Sequence, residues 1–225
     1  MTLKPAEELG GSFFRSTVVK HASTFRCMRP LFTLHAGEYL VGSYLEQRYP
    51  ELRMWVPTKD TGIDLLVTDG SGRRTCALQV KFSKDFLATH MRPVFRKSLR
   101  ACGWWTFNRE KLRGSRADLW ILVLQGFSAQ STDFVVISPR DLLERLDATH
   151  GKSPSIQSYV WVSSSDACWE TRGLARTDQL LVASGNYRDA ARRLTSYLNN
   201  WRPLERRLKV SHNNDSLRRR QTPAR

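Results

Sequence analysis

The pattern of apolar and polar positions predicts two adjacent β-strands in the first half of the chain. Residues 62–68 form an apolar run, residues 69–74 have the composition of a turn, and residues 75–82 alternate. In the alternating run Gln79 and Lys81 share one face, and the apolar residues between and beside them share the other. The segment therefore predicts a β-hairpin whose second strand has one polar face.

Other periodic segments predict an α/β fold around this hairpin. Residues 34–48 carry an apolar stripe of helical period. Apolar runs predict further strands at residues 52–56, 117–127, 133–137 and 158–163. Ser138 and Pro139 are typical of a helix start. Residues 186–201 have the stripe of an amphipathic helix, whereas residues 164–176 show no regular pattern.

One acid, Asp64, interrupts the first strand of the hairpin. It is surrounded by Ile63, Leu65 and further apolar residues, and an isolated buried carboxylate is costly. If the two strands pair, Asp64 converges with Gln79 and Lys81. A carboxylate, an amide oxygen and an ammonium group suit a hard divalent cation with a water beside it. A cross-strand salt bridge between Asp64 and Lys81, with Gln79 in solvent, is the alternative.

A second acid, Glu38, lies on the apolar stripe of the first helix. Leu34, Glu38, Val41 and Leu45 follow one another at helical spacing, so we expect the Glu38 carboxylate to face inward. A salt-bridged glutamate at the edge of the stripe is the alternative.

The order of these elements resembles the PD-(D/E)XK nuclease superfamily, which includes restriction endonucleases and Holliday-junction resolvases. The matching residues are Glu38, then Asp64 in Gly-Ile-Asp, then Gln79-Val80-Lys81. Gln79 stands where the family has its second acid, which removes one negative charge. The resemblance covers residues 31 to 140 and implies a restriction-endonuclease-like core, with a central mixed β-sheet flanked by helices.

The resemblance also implies a function. Mg²⁺, with Mn²⁺ as a possible substitute, would be held by Asp64, Gln79, the Val80 backbone carbonyl and Glu38, and Lys81 would orient or deprotonate the attacking water. The expected activity is that of a metal-dependent endonuclease acting on duplex or branched DNA, of the resolvase type or the restriction and defence type. A nucleic-acid-binding module that has lost cleavage is the alternative, and Gln79 is the residue that favours it.

Charge points to a polyanionic partner. The 225-residue chain has 36 Lys and Arg against 21 Asp and Glu, a formal net charge of +15. Basic and aromatic residues alternate in residues 88–116, as in surfaces that bind phosphates and unpaired bases. The predicted nucleic-acid-binding residues are Arg92, Arg96, Lys97, Arg100, Trp104, Trp105, Arg109, Lys111 and Arg113. Alternatively, these aromatic residues belong to the core and the charges to a solvated face.

Composition completes the expectations. We expect an N-terminal extension at residues 1–30, a nuclease-like domain at residues 31–201, and a basic, disordered tail at residues 202–225. The four cysteines lie far apart, without the spacing of a zinc site, which is typical of reduced thiols in a cytoplasmic protein. No membrane segment is expected. A homodimer is expected, because cleavage of both strands of a duplex needs two active sites.

Overall fold

The first helix and the predicted hairpin form where the pattern places them. The structure is a computed structural model that describes residues 35–59, 61–84, 92, 95, 97–126 and 129–211. Its strands are β1 (Arg53–Trp55), β2 (Leu65–Thr68), β3 (Thr75–Ser83), β4 (Leu99–Asn108), β5 (Leu119–Gly126), β6 (Ser131–Ile137), β7 (Ser155–Ser163) and β8 (Cys168–Glu170). Its helices are α1 (Ala36–Arg48), α2 (Arg109–Arg113), α3 (Pro139–His150), α4 (Arg176–Ser184) and α5 (Arg202–Leu208).

The described strands form two sheets. The larger sheet has the order β1-β2-β3-β5-β6 and is mixed: β3 and β5 are parallel, and the other neighbouring pairs are antiparallel. Strand β5 is apolar along its length because it is central and buried on both faces. The protein is therefore an α/β protein with a mixed five-stranded sheet flanked by helices.

The two faces of the five-stranded sheet have different partners. Helices α1 and α5 cover one face, where Val41, Leu45, Leu204 and Leu208 are fully buried against β2, β3 and β5. The other face packs against the smaller sheet, β4-β7-β8, and against α3. The start of α3 confirms the predicted cap, since the Ser138 hydroxyl accepts a hydrogen bond from the backbone of the third helical residue.

The predicted helix at residues 186–201 is wrong. In its place the chain forms extended and turn structure with a short 3-10 helix at Thr195–Tyr197. Three residues of the expected stripe, Tyr187, Leu194 and Trp201, enter three different apolar clusters. The backbone between them pairs with the edges of both sheets, through bridges at Arg193 and Leu198. Sheet pairing and dispersed burial therefore outweigh the local helical pattern.

Three further expectations need correction. Residues 202–208 do not belong to a disordered tail, because they form α5 and bury two leucines in the core. Strand β4 runs through the segment that we interpreted as a nucleic-acid face, and β8 lies within residues 164–176. The predicted extension at residues 1–30 lies outside the described residues. Within the described ranges, no helix has the length and apolar character needed to cross a membrane.

Candidate active site at the open end of strand β3

The register of the hairpin places Asp64 directly beside Gln79. Strand β2 begins at Leu65, which pairs with Leu78, so Asp64 lies one position before β2 starts. The backbone N–H of Asp64 donates to the Leu78 carbonyl oxygen at 2.8 Å. The Asp64 side chain is only 3% exposed, and its Oδ2 accepts hydrogen bonds from the Val80 backbone N–H at 2.8 Å and from the Gln79 amide. Asp64 is therefore a buried carboxylate held in one orientation against β3.

Beyond Asp64, strand β3 continues without β2 beside it. Its last residues pair with β5 on the other side, up to Ser83. The N–H and the C=O of one residue in a strand point to the same edge, so the Val80 carbonyl faces the edge that Asp64 occupies. The predicted carbonyl ligand thus lies on the correct edge of β3.

Lys81 shares the polar face of β3 with Gln79, as predicted. Gln79 pairs in register with Trp120 on β5, and the Lys81 Nζ lies 5.6 Å from the centroid of the Trp120 ring. Trp120 is itself fixed by a hydrogen bond from its Nε1 to the Ser115 hydroxyl at 2.9 Å. A cation–π contact of this kind attracts the ammonium group to the face of the Trp120 ring.

Glu38 reaches the same place from the helical face of the sheet. It is 3% exposed in the first turn of α1, which confirms the inward orientation that the stripe predicts. Gly37 allows the close packing, because a Cβ atom there would lie 2.7 Å from the Phe82 Cβ. A cavity of about 460 Å³ is lined by Glu38, Asp64, Val80 and Lys81, among others. The helix, the hairpin acid and the end of β3 therefore meet at one cavity.

A second cavity, of about 630 Å³, opens on the polar face of β3. Asp64, Gln79 and Lys81 form one side of it. The remaining lining residues come from the approach to β2, from the end of β4, from α2 and the segment after it, and from β5: Thr61, Gly62, Thr106, Phe107, Asn108, Lys111, Gly114, Ser115, Arg116 and Trp120. Asp64 and Lys81 line both cavities, so they lie at the junction between them.

Gly62 shapes the turn that brings Asp64 to this junction. Its φ angle of +81° is in the left-handed region, which glycine adopts without the steric cost that a Cβ imposes. A Cβ at Gly62 would lie 3.6 Å from the Gln79 Oε1. The amide oxygen of Gln79 thus lies beside Gly62, and its nitrogen faces Asp64.

The donor atoms are of the chemical type that a hard divalent cation binds. Two carboxylates, one amide oxygen and one backbone carbonyl are oxygen ligands of the type that Mg²⁺ accepts. A half-turn of the Gln79 amide exchanges its nitrogen and oxygen, and would bring an oxygen to the Asp64 side. The charge of the set is low, however, and no group of three His, Cys, Asp or Glu side chains is gathered within the described ranges. A cation here would depend on neutral oxygens, which predicts weak binding.

Cysteine chemistry has little support in the part of the chain that the structure describes. Cys76, Cys102 and Cys168 are buried free thiols. Burial raises the pKa of Cys76 to about 12, so this thiol stays protonated at neutral pH.

The predicted nucleic-acid-binding residues divide into two groups. Trp105 is buried in the core between the two sheets, where its ring stacks on Phe107. Arg109 is also buried, bonded to the Asp147 carboxylate and to backbone carbonyls of the loop after α3. Arg100 donates to the Asp133 carboxylate at 2.7 Å, which joins the two sheets. For these three residues the interpretation is corrected, because the charged or aromatic groups are used within the fold.

The second group stays available to a ligand. Lys111 lines the larger cavity, and Lys97, Arg92 and Arg113 are exposed, the last in an ion pair with a neighbouring glutamate. Trp104 is half-buried. Arg96 lies outside the described residues.

Sequence reasoning left Asn108 out of the site, and it placed Arg116 only within the basic segment at residues 88–116. Asn108 and Arg116 line the larger cavity, although they are far from Asp64 in the sequence. Asn108 is a residue type that favours helix N-termini, and it caps α2 by accepting a hydrogen bond from the Lys111 backbone N–H at 2.9 Å. Its cap role was recognisable from the residue type, whereas its place in the cavity that Gln79 also lines was not.

Comparison of the chain with protein-family models, with curated proteins and with solved structures found no match. The function must therefore be inferred from the residues of the site.

Proposed function

We propose that this protein is a metal-dependent nuclease with a restriction-endonuclease-like core, and that it hydrolyses phosphodiester bonds in DNA. The observation that carries the proposal is the meeting of Glu38, Asp64, Gln79 and Lys81 around two neighbouring cavities, where β3 extends past β2. These residues come from three separate parts of the chain, and a purely structural role does not require them to line two neighbouring cavities.

The fold supports the proposal in its order of elements. A helix carrying an inward acid is followed by three antiparallel strands, a parallel fourth neighbour and an antiparallel edge strand. This arrangement brings the acid of the helix and the polar face of β3 to one end of the sheet.

Each residue has a role in the proposed reaction. Asp64, Gln79 and the Val80 carbonyl would hold Mg²⁺, or Mn²⁺ in its place, with Glu38 binding a coordinated water or a second ion. When bound, the cation would act as a Lewis acid on the phosphate and lower the pKa of a water. Lys81, as an ammonium group, orients the attacking water and stabilises the charge that develops on the phosphate oxygens. Lys111 and Arg116 bind the neighbouring phosphates from across the larger cavity.

The low charge of the site sets the expected metal requirement. Affinity for a hard cation falls when fewer of its ligands are charged, so cleavage should need Mg²⁺ on the order of millimolar, or DNA to complete the site. Tight Mg²⁺ binding in a calorimetric titration without DNA would contradict this part of the proposal.

The direct test is cleavage of supercoiled plasmid and of branched and single-stranded DNA with Mg²⁺ or Mn²⁺. We expect the wild type to cut, and Lys81→Ala and Asp64→Ala to bind DNA while cutting about 10²- to 10⁴-fold more slowly. Lys152→Ala is the matched control, because Lys152 is exposed and lines neither cavity. If Lys152→Ala loses as much activity as Lys81→Ala, the assignment of Lys81 is wrong.

One observation favours a second candidate, a DNA-binding module without cleavage. The Gln79 amide and the Val80 N–H already bond the Asp64 carboxylate, which stabilises it without a cation. The same assay separates the two candidates, since a binding module binds DNA equally in all variants and cuts none. A homodimer remains a prediction, which sedimentation of the DNA complex would test.

A further inference from the structure

Trp55 is a large apolar side chain that the fold leaves in solvent. It lies on β1, the edge strand of the five-stranded sheet, and is 58% exposed. Its indole Nε1 donates to the Thr68 hydroxyl at 3.3 Å, which holds the ring against the sheet. An exposed indole gains little for folding, because the stabilisation that aromatic residues supply comes from burial.

The register shows which face of the sheet carries Trp55. Trp55 pairs with Leu66, and Leu66 pairs with Ala77, so these three residues share a face. Ala77 alternates along β3 with the residues that pack against α1, and it therefore shares the face of Gln79 and Lys81. Trp55 thus lies on the catalytic side of the sheet.

The strand that carries Trp55 pairs with the strand that follows Asp64. Trp55 pairs with Leu66, and Asp64 stands two positions before Leu66, one residue before β2 begins. A strand with a phosphate at Asp64 can bring a neighbouring base onto the Trp55 ring.

Charge on this face fits a nucleic-acid strand. Arg53 is exposed two residues before Trp55, and therefore on the same face of β1. Lys81, Lys111 and Arg116 border the larger cavity on the other side of Asp64. Cations thus stand on both sides of the carboxylate, as is expected along the path of a phosphate backbone.

We infer that Trp55 stacks on an unpaired base of the substrate strand, so that the enzyme acts on DNA with a single-stranded segment beside the cut. Bases within a duplex are covered by their neighbours, and the flat side of an indole on a sheet can stack only on a base that is open. The location of the cut beside this base depends on the proposed function, whereas the stacking contact does not.

The test compares DNA affinity and cleavage for three variants. A fluorescent single-stranded oligonucleotide and its blunt duplex are titrated with the wild type, Trp55→Ala, Trp55→Phe and the control Tyr39→Ala. Tyr39 is an exposed aromatic residue of α1, 64% exposed, and lies on neither strand of the β1–β2 pair. Thermal unfolding confirms that each variant is folded.

Stacking of one base on an aromatic ring corresponds to about 5- to 150-fold in affinity. We expect Trp55→Ala to lose this factor for the single strand but not for the duplex, Trp55→Phe to retain most of it, and Tyr39→Ala to match the wild type. Cleavage of a flap or an open branch should fall with the same factor at low DNA concentration.

The outcomes separate this inference from the proposed function. If Trp55→Ala binds the single strand as tightly as the wild type, the inference is wrong, even if the protein cuts. An equal loss for single strand and duplex also overturns it. If single-strand affinity depends on Trp55 and no DNA is cut, the stacking contact is supported and the nuclease proposal fails.

Discussion

The contact between Gly37 and β3 gives a test of how the site is assembled. Glu38 reaches the cavity only because α1 lies close to the end of β3, and Gly37 is the point of closest packing. A Cβ at position 37 would lie 2.7 Å from the Phe82 Cβ and 3.2 Å from the Val80 Cγ1. The Phe82 Cβ is attached directly to the backbone and cannot turn away. Gly37→Ala must therefore move the helix or the strand.

The size of the effect follows from these distances. Carbon atoms pack best at about 3.5–4.0 Å, so the helix start must retreat by about 1 Å. Overpacking of this kind costs about 1–3 kcal/mol, against about 1 kcal/mol gained when alanine replaces glycine in a helix. The free energy of unfolding should fall by up to about 2 kcal/mol. Because Glu38 moves with α1, and a misplacement of about 1 Å can cost 10²-fold in rate, cleavage should fall by up to that factor.

Gly42 supplies a matched control on the same helix. A Cβ there would meet only the Met54 Sδ, at an ordinary distance of 3.8 Å, so Gly42→Ala should gain about 1 kcal/mol from helix propensity. Urea unfolding measures the stability of both variants, and plasmid cleavage at saturating Mg²⁺ measures their activity. If Gly37→Ala is as stable as Gly42→Ala and cuts at the wild-type rate, the close packing of α1 on β3 does not position the site.

Three further predictions concern the site and the core. Gln79→Glu replaces a hydrogen bond to Asp64 by two adjacent carboxylates, so the free energy of unfolding without metal should fall by about 1–3 kcal/mol. Mg²⁺ should restore this stability. If the melting temperature depends on Mg²⁺ equally in the wild type and the variant, the prediction is wrong. Leu208→Ala should lower the free energy of unfolding in urea by about 2–5 kcal/mol, because the Leu208 side chain is fully buried. Arg206→Ala, which changes an exposed residue of the same helix, should lower it little. Equal losses would show that α5 is not part of the core. Arg109→Ala should lower the free energy of unfolding by about 2 kcal/mol, because Arg109 is buried and hydrogen-bonded, and should leave DNA affinity unchanged. A loss of DNA affinity without a loss of stability would show that Arg109 belongs to the DNA-binding surface.

Much of the first half of the fold could be predicted from local pattern. The strand before the turn at residues 69–74 follows from an apolar run, and the strand after it and the inward position of Glu38 follow from periods of two and 3.6 residues. These periods state which side chains share a face. Each period can be recognised within a single helix or strand, because these helices and strands are regular.

The same reasoning failed where a pattern had two solutions. The apolar residues at 187, 194 and 201 fit one helical stripe, but they are buried in separate clusters because the chain crosses between the two sheets. The cluster of basic and aromatic residues in 88–116 looked like a surface. Strand β4 uses alternate residues of it, among them Trp105, to fill the space between the sheets.

The sequence by itself determined the hairpin, the polar face of β3 with Gln79 and Lys81, and the inward acid on α1, because each depends on the spacing of residues close together in the chain. Only the tertiary structure decided that β3 pairs in parallel with β5, that β3 extends past β2, and that one end of β3 opens onto two cavities. The same holds for the place of Arg116 in the larger cavity and of Trp55 on the sheet face of Gln79 and Lys81, which depend on the packing of distant segments and on strand register. Periodicity determines which residues share a face of a helix or strand. Which other element packs against that face depends on how the complete chain buries its apolar residues.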